Sequence, residues 1–214
     1  MFVVLLLAAT AVQGQKIKAS LLAGMNLAQV DGDEVYGFNR PGLNLGLQAM
    51  APLGSNLFLT LETNYSQKGA YQGPQSIDET YTAEYDLKLN YVEVPVILHY
   101  NDKDILTAGL GFAYARLLDE YEEENSGNTD PYIETKGFKE NDWLALFDLQ
   151  FRVYKSFYAN IRYSYSMFPI RSRRFTAVAV PDNSWVRQQY NNILMFRIAY
   201  RINEKPTTES ESRR

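Results

Sequence analysis

The chain has 214 residues, enough for one compact domain, and a formal net charge of -4, so it offers no basic surface for a nucleic acid and we expect no such partner. It contains no cysteine, which excludes disulfide bonds and thiolate metal sites. Its 16 tyrosines and 11 phenylalanines are typical of strands that meet a membrane interface, although soluble β-proteins share this profile.

The first segment of the chain is apolar. Phe2–Val12 is an almost unbroken apolar stretch, and small residues follow it before Gln15, as in a cleaved signal peptide. We therefore expect residues 1–14 to be a signal peptide and the mature protein to begin at Gln15. A buried N-terminal helix or strand is the alternative. No later apolar run reaches the about 20 residues of a membrane helix, which excludes a helical membrane protein.

Beyond residue 15, apolar and polar residues alternate with a period of two, which is typical of strands with two unlike faces. In Leu57–Ser66, for example, the even positions include Thr60 and Glu62. In Leu87–Tyr100 the apolar positions change from odd to even near Tyr91, which predicts a β-bulge there or pairing above the lipid zone. The predicted strands are approximately Lys16–Leu27, Leu43–Ala49, Leu57–Ser66, Leu87–Tyr100, Ile105–Leu118, Trp143–Val153, Phe157–Tyr165 and Leu194–Ile202.

The connections between these strands are alternately long and short. The long connections are Val30–Pro41, Tyr71–Asp86, Asp119–Asp142 and Pro169–Tyr190, and the short ones are Leu53–Asn56, Asn101–Asp104 and Lys155–Ser156. All short connections fall on one side, as in outer-membrane barrels with tight periplasmic turns and long outward loops.

Only a closed sheet satisfies every backbone group in lipid. The sequence therefore predicts an all-β fold, an eight-stranded antiparallel up-and-down transmembrane β-barrel that is OmpA/OmpX-like in architecture. We expect the barrel to span residues 15–202 and residues 203–214 to form a disordered periplasmic tail. A soluble lipocalin-like barrel, with its faces reversed, is the alternative.

Three stretches carry a family resemblance. They are Tyr36-Gly37-Phe38 followed by Gly42 and Gly46, then Glu62–Gly69 (ETNYSQKG), then Leu89–Tyr100 (LNYVEVPVILHY). The chain resembles the PorT-like outer-membrane β-barrel family of Bacteroidetes. The resemblance implies insertion by the outer-membrane assembly machinery, and the member that names the family serves in protein secretion. No catalytic residues can be carried over.

Nothing in the pattern indicates a cofactor, metal or catalytic site. His99, the only histidine, precedes the short turn at Asn101 by two residues, so we expect a polar residue at the periplasmic mouth. Lipid-modifying barrel enzymes would need such a group at the outer face. The small residues Gly109 and Gly111 predict steric relief inside a narrow barrel.

Charged residues suggest two further sites. Buried charges must be paired, so the inward carboxylates and arginines predict a network that plugs the narrow lumen. Its expected members are Glu62, Glu93, Asp148, Arg152, Arg162 and Arg197. Charges in the long loops could bind calcium or an anionic partner, or pair with each other across the rim. These residues are Glu122, Glu123, Glu124, Arg171, Arg173 and Arg174.

The sequence thus predicts a non-enzymatic outer-membrane barrel that acts in envelope structure or in surface interaction through its long loops. An accessory component of a secretion apparatus and a small-solute channel are the alternatives. The expected partners are outer-membrane lipid and lipopolysaccharide, the assembly machinery and an envelope protein.

Overall fold

The computed structural model describes residues 17–76, 82–102, 105–125, 137–176 and 184–202. The expected signal peptide (residues 1–14) and the expected tail (residues 203–214) lie outside the described residues. The strands are β1 (Lys18–Asp31), β2 (Arg40–Pro52), β3 (Leu57–Ser76), β4 (Thr82–Asp102), β5 (Leu106–Asn125), β6 (Asn141–Tyr154), β7 (Phe157–Ser166), β8 (Arg171–Thr176) and β9 (Ser184–Ile202). Within the described ranges, no helix has the length and apolar composition needed to cross a membrane.

Eight strands close into a ring. Strands β1 to β7 each pair antiparallel with their neighbour in sequence, β7 pairs with β9, and β9 returns to β1. Strand β8 pairs with the first residues of β9 and takes no part in the ring. Closure leaves the ring without an unpaired edge. The predicted eight-stranded up-and-down barrel is confirmed.

The outer surface of the ring carries an apolar band. Along each strand the band extends over about nine residues, for example Leu57–Tyr65 on β3. Aromatic pairs mark both rims of the band, with Phe157 and Tyr200 at one and Tyr114 and Trp143 at the other. Mid-strand residues that the alternation assigns to the lipid face do point outward; they are Leu45, Leu59, Ala145, Leu149, Ile161 and Phe196. A surface of this kind requires a lipid surround.

The strands continue past the band at one end. We call the end with the short connections the turn end and the opposite end the hairpin end. The hairpin extension consists of residues 67–76, 82–90, 117–125, 171–176 and 184–190, which are strands and not loops. The long connections are therefore shorter than the sequence predicts. The reason is that the outward side chains of these strands are mostly polar, so the strands continue without the apolar face that marks a lipid-facing strand.

Strand β4 does not exchange its faces. Leu87, Leu89 and Tyr91 are buried in the lumen, and so are Glu93 and the following odd-numbered residues. The apolar pattern changes because the lumen itself becomes apolar toward the hairpin end. An apolar layer fills it there, formed by Val30, Ala70, Leu87, Leu89, Ala115, Leu144, Ile170 and Ile193 among others.

The pairing of β4 with β5 does shift in register beside Tyr91, where the sequence predicts a bulge, but the extra residue lies on β5. Asn90 pairs with Asp119, whereas the next residue, Tyr91, pairs with Leu117, so Leu118 is the extra residue. A single extra residue reverses the face on which every later side chain of the strand points.

Candidate functional site

The lumen holds a compact group of four charged side chains with no exposed surface, Glu62, Asp148, Arg162 and Arg197, which we call the lumen charge cluster. Arg162 is its centre. Its Nε donates to Asp148 Oδ1 at 2.6 Å, and Nη1 and Nη2 donate to the two oxygens of Glu62 at 2.8 and 2.9 Å.

Arg197 completes the cluster from β9. Its Nη1 donates to Glu62 Oε2 at 3.3 Å, its Nη2 lies 3.8 Å from Asp148 Oδ1, and its Nε donates to the side chain of Asn160. Two carboxylates thus face two guanidinium groups, and their formal charges cancel. Bidentate arginine pairing of this kind fixes geometry as well as charge.

The two other charges expected in this network lie elsewhere. Glu93 binds Lys68 Nζ at 2.7 Å, closer to the hairpin end, where Asp142 lies 3.7 Å from the same nitrogen. Arg152 lies at the turn end, where its Nε donates to the Lys155 carbonyl. The register places it opposite Tyr158, four residues from Arg162 along β7. Lys68 and Glu62 are both even-numbered residues of β3, so the alternation assigns both to the inward face. This is the sequence signal that could have identified Lys68 as a lumen residue.

His99 is not a mouth residue, and that expectation is wrong. It has no exposed surface; Nε2 lies 2.9 Å from Asp148 Oδ2, and Nδ1 lies 2.7 Å from Thr60 Oγ1. Asn101 and Thr107, which bond to each other one layer further out, occupy the mouth. Because a carboxylate only accepts, Nε2 donates to Asp148, and Nδ1 shares the second hydrogen bond with the Thr60 hydroxyl.

This Thr60–His99–Asp148 order resembles a nucleophile, a base and an orienting acid. None of the three side chains is exposed, so a substrate in solution or in lipid has no access to the hydroxyl. The three side chains join β3, β4 and β6 inside the lumen.

Gly109 makes room for the histidine. A Cβ atom at this position would overlap the His99 ring, and one at Gly111 would overlap the backbone of Val96. The predicted steric relief is confirmed. We expect Gly109→Ala to lower the unfolding free energy by about 1–3 kcal/mol, because the ring must move away from Asp148. Denaturant unfolding in detergent measures the loss. Gly54→Ala is the control, because nothing lies within 4 Å of that Cβ, and equal losses would contradict the interpretation.

A second charged group spans the hairpin end, and we call Arg171, Arg173, Glu122 and Glu124 the hairpin clasp. The bulge turns Glu122 and Glu124 toward the barrel axis. Arg171 binds both oxygens of Glu122 at 2.6 and 2.8 Å, and its guanidinium stacks 3.9 Å from the centre of the Phe138 ring. Arg173 pairs with Glu124. Side chains of β8 are thereby joined to β5, which is not its backbone neighbour.

Burial alone would raise the pKa of Glu122, but the hydrogen bonds and the charge of Arg171 hold it below its ordinary value. Glu122 therefore stays ionised in mildly acidic solution, and the clasp stays charged.

The acidic run is strand and not loop. Glu123 accepts a hydrogen bond from the Tyr121 hydroxyl on the outward face, and Arg174 is exposed on β8. The sequence leaves open whether these charges bind a ligand or pair with each other. In the structure, acids of β5 pair with arginines of β8 across the rim. Within the described part of the chain, no three histidine, cysteine, aspartate or glutamate side chains are grouped to hold a metal ion.

Comparison with known proteins gives a family and a set of similar folds. The chain is similar to Ail of Yersinia pestis (14% identity, TM-score 0.46, covering 86% of this chain and 98% of Ail). It is also similar to the neisserial surface protein NspA (12%, 0.46, 89% and 100%) and to OprG of Pseudomonas aeruginosa (11%, 0.43, 88% and 95%). No curated protein matches it. A family model described as outer membrane protein beta-barrel domain matches residues 13–172. The chain belongs to this family of outer-membrane β-barrels.

Proposed function

We propose that this protein is a non-enzymatic surface barrel whose hairpin extension binds a partner outside the membrane. The observation that carries the proposal is the hairpin clasp. It joins the β8–β9 hairpin to β5 above the apolar band, so the two parts of the extension are held as one body.

A surface that is ordered before binding does not lose the conformational entropy that a flexible loop loses on binding. The outward face of the extension combines aromatic, apolar and charged side chains. Tyr121, Glu123 and Val186 are exposed there, and Lys88 lies 4.8 Å from the centre of the Tyr121 ring. Exposed aromatic residues are enriched in protein interfaces.

The test is site-specific photocrosslinking in intact cells. A photoreactive amino acid replaces Tyr121 on the extension, Leu47 on the apolar band, or Lys155 at the turn end. We expect a discrete protein adduct from position 121 and none from 47 or 155. The absence of an adduct from position 121, with the barrel correctly inserted, would contradict the proposal.

The secretion accessory is the second candidate, and the resemblance of Glu62–Gly69 and Leu89–Tyr100 to the PorT-like family supports it. However, four side chains of these motifs, Glu62, Lys68, Glu93 and His99, point into the lumen. These four motif side chains therefore lie in the barrel interior and are not part of a surface that a partner could contact. This candidate predicts an adduct from position 155.

The small-solute channel is the third candidate. The packed apolar layer and the paired charges beneath it argue against an open path. Steady single-channel conductance in planar bilayers would favour it over the surface role.

A further inference from the structure

The turn between β1 and β2 is seated against the hairpin end of β9. Gly32, with φ of 89°, brings the turn so close to β9 that a Cβ atom at this position would overlap the Gln188 carbonyl. Glu34 lies 3.5 Å from Arg187 on β9. Asp31, at the end of β1, accepts a hydrogen bond from Asn192, which also belongs to β9. Contacts from Asp31, Gly32 and Glu34 thus dock the turn on β9.

Asp33 is the exception among these polar contacts. Only 4% of the residue is exposed, and among the described residues its Oδ2 has no hydrogen-bond partner. Its Oδ1 accepts from the Val35 amide of its own turn. A buried carboxylate oxygen without a partner is costly when charged and much less so when protonated.

The charged and titratable groups around Asp33 come from three strands. Asp31 on β1 repels its charge and Arg173 on β8 attracts it. The Tyr85 hydroxyl of β4 also faces it, with Arg171 and Glu122 of the clasp on the other side of that hydroxyl. Arg173 is shared with Glu122 and Glu124, which reduces what it contributes to Asp33.

We propose that Asp33 is a proton-operated latch: the β1–β2 turn is docked on β9 while Asp33 is protonated and is released when Asp33 ionises. Release gives the carboxylate the hydration that the docked position denies it. The latch would control how the exposed tip of the turn, including Tyr36 at 84% exposure, is presented at the surface.

The direction of the pH dependence follows from the two states. Burial raises the pKa of Asp33 from 3.8 to about 7 in the docked turn, although the Val35 amide and Arg173 act against it. In the released turn the group returns toward 3.8. Docking is therefore strongest at acidic pH, weakens about tenfold for each pH unit above 3.8, and stops weakening near pH 7.

The experiment uses the absence of cysteine in the full chain. Spin labels at Tyr36→Cys and Val186→Cys report the distance between the turn and β9, measured by pulsed electron resonance in lipid nanodiscs. We expect a single short distance at pH 4.5, a growing population of longer distances up to pH 7, and no further change from pH 7.5 to 9.

Two variants complete the test. Asp33→Asn, which mimics the protonated carboxyl, keeps the short distance at every pH, whereas Asp119→Asn, at an exposed aspartate of β5, still responds to pH. Every other titratable group is the same in the native chain and in Asp33→Asn, so a response lost in this variant belongs to Asp33. A distance independent of pH in the native chain, or the same response in Asp33→Asn as in the native chain, would overturn the proposal.

A direct titration keeps the proposal falsifiable if Asp33→Asn does not fold. In protein labelled with ¹³C-aspartate, the signal of the Asp33 carboxyl carbon reports the pKa of this group. We expect a pKa well above the ordinary range of aspartate, because the turn is docked while the carboxyl is protonated. Titration of Asp33 near pH 4 overturns the latch.

Discussion

Replacing Arg162 with leucine is expected to cost about 3–5 kcal/mol of unfolding free energy, the usual loss when one partner of a buried ion pair is removed. The variant leaves Glu62 and Asp148 in the lumen with Arg197 as their remaining arginine. Denaturant unfolding in detergent micelles measures the loss. Arg174→Leu, an exposed arginine of β8, is the control and should change stability by at most about 0.5 kcal/mol.

A double-mutant cycle separates pairing from simple packing. Arg162→Leu combined with Glu62→Leu removes one charge of each sign, so it should cost clearly less than the sum of the two single variants. Additive losses would show that the two side chains act independently, in conflict with their two hydrogen bonds of 2.8 and 2.9 Å.

The second large effect is expected on the outer surface. Leu149→Arg places a charge near the middle of the apolar band and should cost about 2–4 kcal/mol, provided that lipid covers the band. Val186→Arg is the matched control, because Val186 is 59% exposed but lies on the hairpin extension, in water. Folding into lipid vesicles followed by urea titration measures both. Similar losses at the two positions would contradict the placement of the membrane around the band.

The ring, its strand number and the direction of its side chains could be predicted because a period of two assigns each residue to one face. Glu62, Asp148, Arg162 and Arg197 share the inward face of their strands, and this much follows from parity alone. Which of them meet does not follow. Glu62 and Arg162 are 100 residues apart and contact each other across the lumen. Such contacts depend on the stagger between strands that are not neighbours in the ring.

The same limit explains the errors over Glu93, Arg152 and His99. Parity places all three in the lumen but does not give their height along the barrel axis. Height depends on the tilt of the strands and on where each strand ends. His99 is two residues from a predicted turn, yet β4 continues to Asp102 and the mouth is closed by Asn101. The hairpin extension was missed for another reason, because the outward faces of its strands carry mostly polar side chains and lack the apolar pattern of a lipid-facing strand.

The extra residue at Leu118 makes the hairpin end sensitive to the length of the chain as well as to its composition. Residues 119–124 read Asp-Glu-Tyr-Glu-Glu-Glu, and the bulge decides which half of this string meets the arginines of β8. If Leu118 were instead paired as an ordinary residue of β5, Glu122 and Glu124 would point outward, and Tyr121 and Glu123 would take their inward positions. Insertions and deletions are normally tolerated at the outward ends of barrel strands. Here one residue inserted after Leu118 and paired regularly would turn every later side chain of β5 to the opposite face, so related chains should gain residues in this strand far less readily than they exchange them.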